Sequence, residues 1–279
     1  MEKQSPSVTD PHRRHTAEDT TASSGSHPLS RSTFRRTQTP RATRTGDHLS
    51  RPGALPPAPG RLLHAFSLVL RSTWFPLVLL AVLVVVTEQV IAKGPLLGVD
   101  RWMRGQLLHL VASNPYPRLN TYASWWTHFG SPEIAVTALV AVTLASAART
   151  RSWKPVLAAT LAGTALFATV IPGKLLIGRP GPEGWLVGPG DLGWYPSGHT
   201  STATVCLGTG AWILANAFAL PVRLRRALYA ATAALCASVG FCLMWCDYHW
   251  FLDVLGGLCL SGIILWSLVR WAPRPQQRS

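Results

Sequence analysis

Six apolar runs, at about 74–92, 132–148, 155–173, 200–220, 227–246 and 252–269, dominate the chain after its first quarter. Each is close to the ~20 residues needed to cross the hydrocarbon core of a bilayer. A backbone surrounded by lipid must satisfy its own hydrogen bonds, and runs of this length do so as helices rather than as strands of a barrel. The expected fold is therefore all-α: an integral-membrane bundle of six transmembrane helices. A further amphipathic piece is expected between Leu97 and Leu110, where Val99, Trp102, Met103 and Leu107 recur at helical spacing around Arg101 and Arg104. Such a segment is expected to lie along the membrane surface.

The charge balance fits this frame once its position is considered. Only 14% of the 279 residues are charged, yet Lys and Arg outnumber Asp and Glu by 26 to 12. An excess of that kind points either to nucleic acid or to a membrane protein with basic inner loops. Residues 1–60 carry nine basic and five acidic residues and hardly any large apolar side chains, chiefly Leu29, Phe34, Leu49 and Leu55. Too little apolar surface is present there to offset the entropy of ordering, so a disordered basic cytoplasmic tail is expected over 1–60. Anionic lipid headgroups account for its charge without a nucleic-acid partner. No apolar segment follows the first charges as a secretory signal would require. The expected organisation continues with a six-helix membrane domain over 61–273 and a short cytoplasmic tail at 274–279.

Three basic clusters set the expected orientation. Arg149, Arg151 and Lys154 fall between spans two and three, Arg223, Arg225 and Arg226 between spans four and five, and Arg270, Arg274 and Arg278 after span six. All lie on the side that also carries Arg51 and Arg61, which should be cytoplasmic, with both termini inside. The five cysteines, Cys206, Cys236, Cys242, Cys246 and Cys259, all fall in expected spans. Although Cys242 and Cys246 share a helix face, no second pair accompanies them, so small apolar packing residues are expected and not a metal site.

Against this apolar background a few polar residues stand out on the opposite, extracytoplasmic face. Lys174 ends span three, Tyr195-Pro196-Ser197-Gly198-His199 opens span four, and His249 and Asp253 lie where span five hands over to span six. His199 and His249 are separated by two spans and a turn, which returns the chain to the same depth. Three groups distant in sequence thus meet at one water–membrane boundary. Their chemistry suits phosphoryl transfer. His249 and Asp253 are four apart on one helix face, so the carboxylate can fix the imidazole tautomer and leave Nε2 as a nucleophile. His199 is the available acid for the leaving alkoxide. Ser197 is a suitable helix N-cap, the Gly198 and His199 amides can face an anion, and Lys174 adds positive charge. No metal or other cofactor is called for, since Asp253 is committed and Asp191 and Glu183 stand apart in a loop.

These residues resemble the motifs of the type 2 phosphatidate phosphatase superfamily, the lipid phosphate phosphatases that share a core with vanadium haloperoxidases. The resemblance covers roughly residues 70–270. The family's first motif, a Lys, six residues and Arg-Pro, here reads Lys174-Leu-Leu-Ile-Gly-Arg179-Pro180-Gly181-Pro182. The second, Pro196-Ser197-Gly198-His199, is intact. The third, Ser-Arg, five residues, His, three residues and Asp, runs from Cys242-Leu243 to His249 and Asp253. The resemblance implies His249 as nucleophile, Asp253 as its partner and His199 as acid. It also implies Lys174, Ser197 and the Gly198 amide as phosphate contacts. Gly181 and Leu243 stand where the family has arginines, each a loss of ~1.5–3 kcal/mol if its charged hydrogen bonds go unreplaced. Arg179, two residues away, is the candidate replacement in the phosphate-binding set, with Arg101 and Arg104 as further candidates. The expected activity is metal-independent hydrolysis of a lipid phosphate or diphosphate through a phosphohistidine, at the extracytoplasmic face of the cell membrane of a bacterium. A lipid phosphotransferase, or a catalytically degenerate protein that binds anionic lipid, is the alternative.

Overall fold

The computed structural model describes residues 74–184, 187–188 and 190–271. The expected tails at 1–60 and 274–279 lie outside the described residues. Every regular element in the described residues is helical: α1 (Trp74–Ile91), α2 (Leu97–Ala112), α3 (Pro117–Thr127), α4 (Pro132–Thr150), α5 (Lys154–Ile177), α6 (Gly198–Thr202), α7 (Gly208–Ala217), α8 (Val222–Trp245) and α9 (Phe251–Trp271). A 3₁₀ turn, His128–Gly130, joins α3 to α4, and a π-helical segment, Ala203–Leu207, joins α6 to α7.

Five of these helices, α1, α4, α5, α8 and α9, are long and apolar enough to cross a membrane. The sixth span expected from the sequence is the uninterrupted run α6, π segment and α7, which begins at Gly198 and ends at Ala217. The bundle leaves Leu77, Val78, Leu80, Val84 and Val85 of α1 exposed, as well as Val140 and Leu144 of α4 and Leu161 and Phe167 of α5. Such faces are stable only against an apolar solvent, which is the pattern expected of lipid-facing helices.

Local sequence fixes the helix ends. Ser131 caps α4 by accepting from the Ile134 amide at 3.4 Å, with Pro132 in the first turn, and Pro155 occupies the first turn of α5. Gly178 ends α5 in the left-handed conformation at φ 56°, a position where a glycine carries no Cβ penalty. The largest apolar core gathers Ala135 and Leu139 of α4, Ala158, Ala162, Leu166 and Val170 of α5, Val205 and Cys206 of the π segment, Trp212 and Ile213 of α7, and Ile264 and Leu268 of α9. Small residues on α4 and α5 permit the close helix approach that membrane bundles favour. A second cluster joins Val86 and Val90 of α1 to Tyr195 and Leu252, so α1 closes against the loop before α6 and the start of α9.

Two features depart from the sequence expectation. Leu97–Leu110 is helical, as α2, but one of its polar residues, Asp100, is buried at 1% exposure inside the protein rather than turned to solvent. A further helix, α3, follows it, with Pro117 at its start and the exposed aromatics Tyr122, Trp125 and Trp126 along it. Its short length and low overall apolarity conceal it in the sequence.

Candidate functional site

The site forms where three chain segments converge at one end of the bundle: the end of α5, the residues leading into α6, and the turn between α8 and α9. The α8–α9 turn is tight. Asp247 adopts φ 57°, and the amides of Tyr248 and His249 both donate to the Leu243 carbonyl, at 2.9 and 3.3 Å. Arg104 of α2 grips Asp247 through two bonds of 2.8 and 2.6 Å, and that carboxylate holds the guanidinium above its already high ordinary value.

His249 therefore sits two residues before the start of α9, and its Nδ1 lies 3.2 Å from Asp253 Oδ2 in the first turn. The same Oδ2 accepts from the Trp250 amide at 3.2 Å, so Asp253 also serves as the side chain that reaches back over its own helix start. Asp253 is fully buried. Its second oxygen accepts from Arg179 at 2.5 Å.

Arg179 is 7% exposed, and its other terminal nitrogen binds Asp100 of α2. Asp100 in turn accepts from the Leu252 amide at 2.8 Å, supplying an orphan donor at the start of α9 with an acceptor from another helix. Burial lifts the Asp100 carboxyl above the ordinary carboxylate range, and the Arg179 guanidinium acts against that shift. The guanidinium groups of Arg179 and Arg104 lie 5.4 and 5.7 Å from the Trp250 ring centroid, and Trp250 Nε1 donates to the Pro180 carbonyl at 3.0 Å. Asp100 and Trp250 are absent from the sequence-derived site. The run of apolar residues around each, read as membrane or surface helix, gave no signal of a contact across 79 or 70 positions.

The segment carrying His199 is locked to α9. The Ser197 amide donates to the Asp253 carbonyl at 3.0 Å, while Ser197 Oγ accepts from the Thr200 amide at 3.3 Å and from the Thr200 hydroxyl at 2.9 Å. Ser197 is thus the N-cap that the sequence suggests. Tyr195, whose peptide bond to Pro196 is cis, is anchored by a 2.7 Å bond between its hydroxyl and Thr87 of α1. Gly256 permits this packing: a Cβ there would lie 2.7 Å from the Tyr195 ring. Lys174 runs beside Gly198, whose Cβ would meet the lysine Cε at 3.3 Å, and Nζ donates to the Gly193 carbonyl at 2.6 Å. His199 lies within electrostatic reach of His249, Lys174 and Glu133. The structure therefore brings together Lys174, Arg179, Ser197, Gly198, His199, His249 and Asp253. Arg101 remains exposed, and Arg104 is joined to the group through Asp247 and Trp250.

The two positions that lack arginine have structural explanations. At Gly181 a Cβ would lie 2.7 Å from the Trp194 indole, which occupies the space where a side chain would start. Leu243 is 1% exposed and packs with Ala203, Cys236 and Val239. Among the described residues no group of three His, Cys, Asp or Glu is placed to hold a metal ion, and the five cysteines are free thiols.

A family model described as the PAP2 superfamily matches residues 134–277, just over half of the chain and all of the three motifs. The chain belongs to the PAP2 superfamily. The family resemblance drawn from Lys174, Pro196–His199 and His249–Asp253 is thereby borne out. Among solved structures, the crystal structure of a transmembrane PAP2-type phosphatidylglycerolphosphate phosphatase from Bacillus subtilis shares the fold, with a TM-score of 0.60 and 21% identity. The alignment covers 70% of this chain and 94% of that one. No curated protein matches. With its apolar helices and this transmembrane relative in fold, the PAP2 chain is a multi-pass membrane protein.

Proposed function

We infer that this PAP2 protein hydrolyses a lipid phosphate or diphosphate by way of a phosphohistidine. The observation that carries the inference is the His249–Asp253 pair, 3.2 Å apart, gathered with His199 and Lys174 by three separate segments. In the first step Nε2 of His249 attacks phosphorus, the bond from phosphorus to the lipid oxygen breaks, and protonated His199 donates its proton to the leaving alkoxide. In the second, His199 takes a proton from water, the oxygen attacks phosphorus, and the P–N bond breaks to release phosphate and restore neutral His249. Asp253 stabilises the imidazolium in both steps.

Phosphate binding rests first on Lys174 and the Gly198 amide, with the remaining N–H groups of Arg179 and the capping Ser197 completing the cradle. Asp100 and Asp253 offset the charge of Arg179, so Lys174 supplies the uncompensated cation. The step needs no metal. The lipid tail would lie along the apolar helices, with the site on the extracytoplasmic face and both termini in the cytoplasm. This topology is supported by the three basic clusters at the opposite ends of the spans.

The test is phosphate release from a panel of lipid phosphates in detergent, with and without EDTA, comparing wild type with H249A and K174M. H249A should lose activity by at least about 10³-fold, and K174M should raise KM more than it lowers kcat. Wild-type protein that releases no phosphate from any substrate would overturn hydrolysis. Transfer of the phosphoryl group to a second lipid, with no free phosphate, would instead identify a phosphotransferase built on the same first step.

A further inference from the structure

We propose that Asp100 is a positioning residue of this site: it shares Arg179 with Asp253, so that Asp253 keeps its negative charge for His249. This role rests on the phosphohistidine reading above, but the interaction it describes can be measured without turnover.

Four groups form one chain of contacts. Asp100 binds one terminal nitrogen of Arg179, the other terminal nitrogen binds Asp253 Oδ1 at 2.5 Å, and Asp253 Oδ2 faces His249 Nδ1 at 3.2 Å. Asp100, Arg179 and Asp253 are each at most 7% exposed, so bulk water screens their charges little. A guanidinium paired with Asp253 alone would cancel the carboxylate on which a developing imidazolium depends. With Asp100 on its other edge, Arg179 is neutralised from both sides. The three groups together then carry one negative charge, and His249 is the nearest place to balance it. Attack on phosphorus turns neutral His249 into a phosphoimidazolium, so this residual charge stabilises the transition state more than the ground state.

Asp100 also holds the Leu252 amide at 2.8 Å, a purely structural duty as a helix cap. The two roles are separable because an asparagine keeps an acceptor for that amide while losing the charge. Other charged or titratable groups surround this chain of contacts: His199 interacts electrostatically with His249, Lys174 and Tyr195 with Asp253, and Arg104 of α2 with Asp247 of the α8–α9 turn and with Glu183. They remain in place in every variant below and form a constant background.

The experiment is an NMR titration of full-length protein in detergent, labelled at histidine ¹³Cε1, with the His249 resonance assigned by its loss in H249N. D100N removes a negative charge and should lower the His249 titration midpoint by about one unit. R179Q removes a positive charge and should raise it by a similar amount. D100N/R179Q removes both and should return it close to wild type. A structural cap alone predicts no such opposition of sign and no recovery in the double variant. If D100N does not accumulate as folded protein, R179Q decides alone: a midpoint that stays in place or falls overturns the proposal. Phosphate release by the same samples forms a separate arm, in which D100N should lose about tenfold in kcat. Wild type without turnover would sink the hydrolase reading, while the titration would still decide the role of Asp100.

Discussion

Leu243 and Gly181 mark the places where this chain's site differs most from the motif pattern of its family, and both are occupied by structure rather than left open. Leu243 fills the core between Ala203, Cys236 and Val239, and its carbonyl accepts from the amides of Tyr248 and His249. Restoring an arginine there would bury a charge without a partner. L243R should therefore lose at least about 3 kcal/mol of stability, read as a fall in melting temperature in detergent with activity lost in parallel. G181R meets a different obstacle, since its Cβ would collide with the rigid Trp194 ring. It should lower the melting temperature and leave kcat/KM no higher than wild type; a tenfold rise in kcat/KM would show that the indole yields and that a lost phosphate contact can be restored. At this scale the acid–base residues were legible in the sequence, because His249, Asp253, His199 and Lys174 stand out as isolated polar groups in apolar surroundings. Asp100 was not legible. One acid in an amphipathic helix looks solvated until the fold turns it inward, and nothing local announces an ion pair with a residue 79 positions away.

Between the residue and the bundle, the decisive element is α9, whose first turn carries Asp253 and whose second presents Gly256 and Gly257 to the segment before α6. Without side chains there, α9 can approach the Tyr195 ring and the Ser197 carbonyl, where added Cβ atoms would lie at 2.7 and 3.0 Å. That approach aligns the Ser197 amide with the Asp253 carbonyl and so sets His199 relative to His249. G256A should cost about 1–3 kcal/mol through overpacking and reduce kcat by displacing the His199 segment. G163A on α5, where a Cβ would meet nothing within 4 Å, serves as the contrast. It should be neutral or stabilising by up to about 1 kcal/mol from helix propensity. Equal melting temperatures for G256A and G163A would refute the close-packing account. Five of the six expected spans, each one long apolar helix, were readable from length and hydropathy because lipid imposes both. The division of the fourth into α6, a π segment and α7 was not, since all three share one apolar composition and only packing selects the hydrogen-bond register.

On the scale of the whole molecule, the placement of charge makes a prediction about sidedness. Arg149, Arg151 and Lys154 gather at one end of the α4–α5 pair, and Arg223, Arg225 and Arg226 at the start of α8. Lys174, His199 and His249 lie at the other ends of α5, α6 and α9. Each span in the order α4, α5, α6–α7, α8 and α9 reverses direction, so one assignment of a single loop fixes all the others. By the positive-inside rule the arginine clusters are expected in the cytoplasm, so the proposed phosphohistidine chemistry is expected outside, where a released phosphate would leave the cell surface. The buried or half-buried native cysteines can be changed to alanine or serine to give a silent background. In that background N114C, in the α2–α3 turn, should react in intact cells with a thiol reagent that cannot cross membranes. R225C should react only after the cells are permeabilised. The reverse pattern would place the site in the cytoplasm, and partial labelling of both in intact cells, with the remainder of each labelled only on permeabilisation, would mean that the chain is inserted in two orientations. Because the α2–α3 turn and the α7–α8 turn are separated by three spans, α4, α5 and α6–α7, the two labels must fall on opposite sides if all three cross the bilayer. Labels on the same side would therefore show that one of the three does not, and the α6–α7 run with its π segment would be the first to test.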